Sequence, residues 1–204
     1  MKGMSFSHHV IRPGVVIVAG PTGVGKDSIV REIIAQCEGC VELITATTRK
    51  RRENEGQGEY HFFTNEVFDK ALASGEIPEH WTHPSGARYG TYLPYLTEQL
   101  GKGKVIIGDM NIVGARYMKE NHRALTLFIL PPDFSVLRER IIKRGRHDLS
   151  EKEIDARLRL AQQEIAEHSP WYDYRVINRE NQLDTAVQEV LEILTKEGYC
   201  VSDV

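Results

Sequence analysis

Residues 14–30 read GVVIVAGPTGVGKDSIV. The β-branched run Val15-Val16-Ile17-Val18 has no polar alternation, so it predicts a short strand buried on both faces. It breaks into Gly20-Pro21-Thr22-Gly23-Val24-Gly25-Lys26 and resumes as a helix-like segment. A glycine, four residues, a glycine and a lysine between strand and helix form the phosphate-binding P-loop. The glycines let successive backbone N–H groups turn inward around a phosphate at the positive end of the helix. Lys26 then reaches the β- and γ-phosphates as a point charge. A merely tight strand-to-helix turn explains the glycines but not Lys26. The motif ordinarily continues with a Ser or Thr whose hydroxyl holds Mg2+; here Asp27 stands there, followed by Ser28. A carboxylate binds Mg2+ directly or through water, yet repels phosphate when the metal is absent.

The 204 residues, 41% hydrophobic and 27% charged, suffice for one substantial core with smaller inserted lobes. A net charge of −3 gives no broad electrostatic case for nucleic acid. No apolar run approaches the roughly 20 residues of a membrane span, and the start, MKGMSFSHHVIRPG, has no signal-peptide core. The expected location is therefore the cytoplasm, with no membrane partner; oligomeric state stays open. Of three cysteines, Cys37 and Cys40 form a lone C-x-x-C and Cys200 stands isolated. Zinc would need further ligands at suitable spacing, so the thiols are expected to be reduced and structurally minor. Predicted strands at 41–46, 104–109, 125–130 and 174–177 alternate with predicted helices at 65–74, 93–100 and 183–196. That alternation predicts an α/β chain with a parallel sheet and helices on both faces.

Residues 45–62 read TATTRKRRENEGQGEYHF. Four consecutive basic residues suit a solvated loop. The ordered series T-T-R, a second Arg three residues on, a Glu three beyond that, then Gly and Y-x-F resembles the acceptor site of guanylate kinases. Gly86-Ala87-Arg88-Tyr89-Gly90-Thr91 is similar to that family's G-x-x-Y-G-[ST], and the likeness runs from about residue 14 to 196. It implies a P-loop NTPase fold that binds ATP through Gly20 to Ser28. In that family two arginines and tyrosines hold the GMP phosphate, which implies Arg49, Arg52, Tyr60 and Tyr89 here, with Glu55 supporting the arginines. Planar guanidinium groups suit phosphate because they bind it bidentately. Thr45 and Thr91 would face the guanine. A Glu that accepts from guanine N1–H and N2–H2 would reject adenine, which lacks donors there. Counting forward from G-E-x-x-E selects Glu79 and counting back from Tyr89 selects His80; the reading takes Glu79, against the plain alternative of a surface carboxylate.

Asp109, at a predicted strand end, fits the acidic Mg2+-side residue and joins Asp27 as a candidate metal ligand. Asp109-Met110-Asn111-Ile112-Val113-Gly114-Ala115 resembles the family's acid-x-Asp-x-Gln-Gly-Ala, with Asn111 in place of the second acid. An amide does not replace a carboxylate as an acceptor for two donors, but Asn111 remains an acceptor-site candidate. Ser150-Glu151-Lys152-Glu153 reads as a capping box opening a helix. The likeness implies Arg144 and Arg157 as lid arginines that join Lys26 and Arg49 in charge stabilisation, and Asn178 near the adenine. The implied organisation is a core of 14–43, 97–143 and 163–204, an acceptor lobe at 44–96 and a lid at 144–162. The first reading is Mg2+- and ATP-dependent phosphorylation of GMP and dGMP. A second is phosphorylation of ribose 1,5-bisphosphate, because kinases of that sugar share the fold and read G-K-D-S, as here, with a similar R-G-R…S-E-x-E-I-x-A-R-L lid and a similar Trp81-x-His83 stretch. A third is a non-catalytic guanylate-kinase-like binding domain; those typically lose the P-loop lysine and lid arginines, which this chain keeps.

Overall fold

The computed structural model describes residues 11–53, 56, 58–83, 85–144 and 149–200. Its main sheet is centred on β1 (Gly14–Ala19), where Val15 to Ala19 are all buried. On one side β1 pairs with β7 (Val105–Asp109), and on the other with β8 (Leu125–Leu130), both in parallel. The edges are β2 (Cys40–Glu42) beside β7 and β9 (Tyr174–Ile177) beside β8, giving five parallel strands in the order β2-β7-β1-β8-β9. Strand alternation sends Val16 and Val18 into one apolar layer and Val15, Ile17 and Ala19 into the other. The first layer is covered by α1 (Lys26–Gln36) and α7 (Leu183–Lys196) through Ile29, Ile33, Val187 and Val190. The second packs on α3 (Leu93–Gly101) and α4 (Ile112–His122) through Leu96, Ala115 and Met118. Both faces of β1 are therefore core, which is why its sequence shows no polar position. Full burial of each such side chain stabilises by about 1.5–3 kcal/mol.

The stretch expected as one strand at 41–46 is two. After β2, Leu43 N–H still donates to Ile107 O at 2.8 Å, and the chain then leaves the main sheet. It enters a smaller sheet of order β4-β3-β6-β5, built from β3 (Ala46–Thr47), β4 (His61–Phe62), β5 (His80–Thr82) and β6 (Arg88–Gly90). Here β3 runs parallel to β4 and antiparallel to β6, and β5 runs antiparallel to β6. A separate apolar cluster of Ala46, Phe68, Ala71 and Ile77 seats α2 (Asn65–Ala73) on this sheet.

Beyond β8, α5 (Phe134–Arg144) leads towards α6 (Glu151–Glu167). The capping box read from the sequence is present: Glu153 N–H donates to the Ser150 hydroxyl oxygen, and the Glu153 carboxylate accepts from Ser150 N–H at 2.8 Å. Arg138 on α5 forms an ion pair with Glu151 at the start of α6. The cysteine expectation needs correction. Packing of α1 against α7 brings Cys37 and Cys200 to a Cα separation of 5.8 Å, where they form a disulfide. Cys40 stays free and buried, its thiol pushed up to about 11 by that burial. No helix among the described residues is long and apolar enough to cross a membrane.

Candidate active site

The P-loop lies between the C-terminal end of β1 and the first turn of α1, in the crevice where open α/β sheets bind ligands. Gly25 caps α1 in the left-handed region, at φ 97°. A Cβ there would lie 2.6 Å from Asn178 Nδ2, so only glycine fits. Lys26 Nζ donates to Pro21 O at 3.4 Å and lies 3.9 Å from Asp109 Oδ2. That proximity follows from sheet register, since Asp109 pairs with Val18 just before the loop. Asp27 sits exposed in the first turn of α1. Its charge reaches Glu42, whose carboxyl is raised above the usual range by burial first, then by Glu59 and Asp27.

Asn178 follows β9 and is 5% exposed. Its Nδ2 donates to Val24 O in the loop at 2.8 Å, while its buried Oδ1 has no partner among the described residues. Arg140 on α5, which the sequence reading left without a role, donates to Val24 O at 3.3 Å and Arg179 O at 3.1 Å. Gly25, Ser28, Arg140 and Asn178 line an open cleft of about 500 Å3. No sequence signal distinguishes Arg140 from its helix neighbours; the contact depends on how α5 crosses the loop.

A second cavity, of about 210 Å3, lies between the two sheets. Thr45, Tyr60, Glu79, Tyr89 and Asn111 line it, as does Asp109. Five of the predicted acceptor residues, drawn from separate stretches of chain, thus meet around one space. Strand pleat sends Glu79 and His80 to opposite faces. His80 packs against Phe68 at 6.1 Å, on the α2 side, whereas Glu79 and Trp81 face the cavity. In the connection from β5 to β6, His83 N–H donates to Ala87 O and Gly86 N–H to His83 O, both at 2.8 Å.

Thr91 differs from its expected role. It is fully buried and does not line the cavity; its N–H and hydroxyl both donate to Glu79 Oε1, at 3.1 and 2.6 Å. Asn111 reaches the cavity, but its Oδ1 is engaged as the cap of α4, accepting from Val113 and Gly114 N–H at 3.0 Å each. Arg49 lies over the rings of Tyr60 and Phe62, at 5.2 and 5.7 Å, and donates to Lys50 O. Arg52 is exposed in the loop before β4, and Arg157 is exposed on α6, lining none of these cavities. Glu55 and the side chain of Arg144 lie outside the described residues. A third cavity, of about 180 Å3, touches Gly20, Asn111 and Glu164. Burial raises the Glu164 carboxyl, with the charges of Lys26 and His168 opposing. Sequence reasoning missed Glu164 because one acidic residue on a charged helix carries no local signal.

The model of the family described as guanylate kinase matches residues 12–197. The guanylate kinase of Carboxydothermus hydrogenoformans is 38% identical over 185 residues, covering 90% of this chain and 88% of that protein. The guanylate kinase of Syntrophotalea carbinolica is 38% identical over 196 residues, covering 95% and 90%. The crystal structure of guanylate kinase from Anaplasma phagocytophilum superimposes with a TM-score of 0.68 at 27% identity, covering 92% of this chain and 88% of that one.

Proposed function

This chain belongs to the guanylate kinase family, and from that premise we propose that it transfers the γ-phosphoryl group of ATP to GMP, with dGMP as a second acceptor, giving ADP and the nucleoside diphosphate. The observation that carries the reading is Glu79. Its Oε1 is held by Thr91, and its carboxylate lines a cavity that also contains Tyr60 and Tyr89. A fixed carboxylate can accept both N1–H and N2–H2 of guanine and leaves adenine unpaired. Tyr60, Tyr89, Arg49 and Arg52 take the acceptor phosphate, Glu55 steadies the arginines, and Thr45 meets the base.

Residues 20–28 and Asn178 hold ATP, with the buried Asn178 Oδ1 suited to accept from an adenine amine. Lys26 bridges the β- and γ-phosphates. Arg144 and Arg157, from a lid spanning 144–162, close over the transferred group, while 44–96 serves as the acceptor lobe. Such closure excludes water and protects ATP from hydrolysis. No side chain needs to give or take a covalent intermediate; rate comes from positioning and from cations that stabilise charge as it shifts.

The donors also fit Mg2+, which takes one or two carboxylates beside substrate phosphates and keeps several waters. Asp27 and Asp109 flank Lys26 as such a pair, and no group of three or more metal-ligating side chains occurs among the described residues. Bound there, the ion would neutralise charge on the β- and γ-oxygens. The test is ADP release with ATP and Mg2+ against GMP, dGMP, AMP, UMP, CMP and ribose 1,5-bisphosphate. Turnover on GMP and dGMP alone supports the proposal. Turnover only on the sugar bisphosphate would make Asp27 the decisive residue and overturn it, and silence on all six would point to a binding domain.

A further inference from the structure

Trp81 is a large apolar side chain left 41% exposed, although its lobe has a buried cluster of its own. An indole kept in contact with water while lining a cavity invites a functional explanation. Its position is set by the small sheet. On β5, Trp81 lies two residues beyond Glu79 and shares its face, and across the antiparallel pair it stands opposite Tyr89. The Trp81 and Tyr89 rings are 6.2 Å apart and inclined by only 32°, while His83 meets the indole edge-on at 5.4 Å and 88°. Tyr60 closes the row at 5.9 Å from Tyr89.

We propose that the Trp81 indole is the stacking wall of the acceptor site, covering the face of the purine whose edge is held by Glu79. Residues two apart on one strand face are about 7 Å apart, a separation that suits one planar ring system gripped at its edge by one residue and on its face by the next. The edge contact tells guanine from adenine; the face contact favours a bicyclic purine over a pyrimidine and gives nothing to a sugar phosphate without a base. This inference rests on the GMP reading above and assigns Trp81 a specificity role within it.

The experiment uses Trp81→Ala, Trp81→Phe and a Trp171→Phe background in which Trp81 is the remaining tryptophan of the chain's two. Stacking of one base on an aromatic side chain predicts that Trp81→Ala raises KM for GMP by about 10- to 100-fold. kcat and KM for ATP should stay within about threefold of the parent value, since no new group enters the phosphoryl-transfer site. Trp81→Phe should recover most of the loss. In the Trp171→Phe protein, GMP should quench indole fluorescence and ribose 5-phosphate should not. An unchanged KM for GMP in Trp81→Ala, or absence of quenching by GMP, overturns the inference. If Trp81→Ala folds poorly by circular dichroism, the quenching measurement decides alone. The two readings fail separately: parent protein that turns over GMP normally alongside an indifferent Trp81→Ala removes only the stacking role, whereas parent protein inactive on GMP removes the function and the wall together.

Discussion

Thr91 spends both its donors on one oxygen of Glu79: the backbone N–H at 3.1 Å and the hydroxyl at 2.6 Å. A hydrogen bond to an ionised group is among the stronger kinds, and two on Oε1 fix the plane of the carboxylate. Thr91 is itself fully buried, so its rotamer is held by packing and the preorganisation reaches the cavity wall.

Removing the hydroxyl while keeping the shape should therefore loosen the Glu79 carboxylate. Thr91→Val is expected to raise KM for GMP by about tenfold and to narrow the preference for GMP over AMP, with Thr91→Ser restoring both. Steady-state kinetics on the two nucleotides checks this. Equal behaviour of the Val and parent proteins would show that the backbone N–H alone suffices.

Asp27 puts a negative charge in the first turn of a helix whose N-terminus is to receive phosphates. Asp27→Ser should tighten ATP binding in a chelator by about five- to tenfold, from the removal of one like charge a few ångströms from the phosphates. In saturating Mg2+ the gap should close or reverse, because the carboxylate then has a cation to bind. Calorimetric titrations with and without chelator make the comparison. Matching affinities in chelator would place Asp27 away from the phosphates.

The parallel sheet and P-loop were legible because their signals are local. Val15 to Val18 declare burial on both faces, and Lys26 stands at a fixed spacing from its glycines. The small sheet was illegible because strands such as Ala46–Thr47 and His61–Phe62 are too short to show a period of two. Residues carried by motif, such as Tyr60 and Tyr89, do come together around one cavity. Arg140, which meets the P-loop through the crossing of α5, and Glu164, which lines a cavity beside Gly20, were not singled out. The bond from Thr91 to Glu79 was not legible, since a sequence does not reveal which neighbouring oxygen a hydroxyl meets.

His61 supplies a pH test. Its ring lies among Tyr92, Tyr95 and Phe63, its Nε2 is buried without a partner among the described residues, and burial lowers its pKa from 6.5. His122 is lowered for the same reason. Below that value the unfolded chain binds more protons than the folded one, so stability should fall as pH drops from about 7 towards 5. The slope is at most about 1.4 kcal/mol per pH unit for each histidine. His61→Phe should flatten the fall measured by thermal melting at several pH values; an unchanged slope would mean that the carboxylates dominate it.

The disulfide predicts one titratable thiol, Cys40, in denatured but unreduced protein. Reductant should then lower the melting temperature, since cross-linking a span of this length stabilises by up to about 4–5 kcal/mol in the chain-entropy account. Cys200→Ser should be lower from the start and indifferent to reductant. Three free thiols in protein purified without reductant would contradict the pairing.

The Cys37–Cys200 bond joins positions 163 residues apart, so most of the chain forms a covalent ring, preceded by a 36-residue arm that carries β1 and α1 and followed by four residues. A ring survives its first cut in one piece. Protease cleavage at any single peptide bond between those cysteines would leave the mass of the oxidised protein whole on a non-reducing gel, and only reduction would release two fragments. The connection between α5 and α6 and the loop before β4 both lie inside the ring. A molecule nicked at either place would keep its P-loop helix tethered to its last helix, and with them two walls of the cleft lined by Ser28 and Asp184.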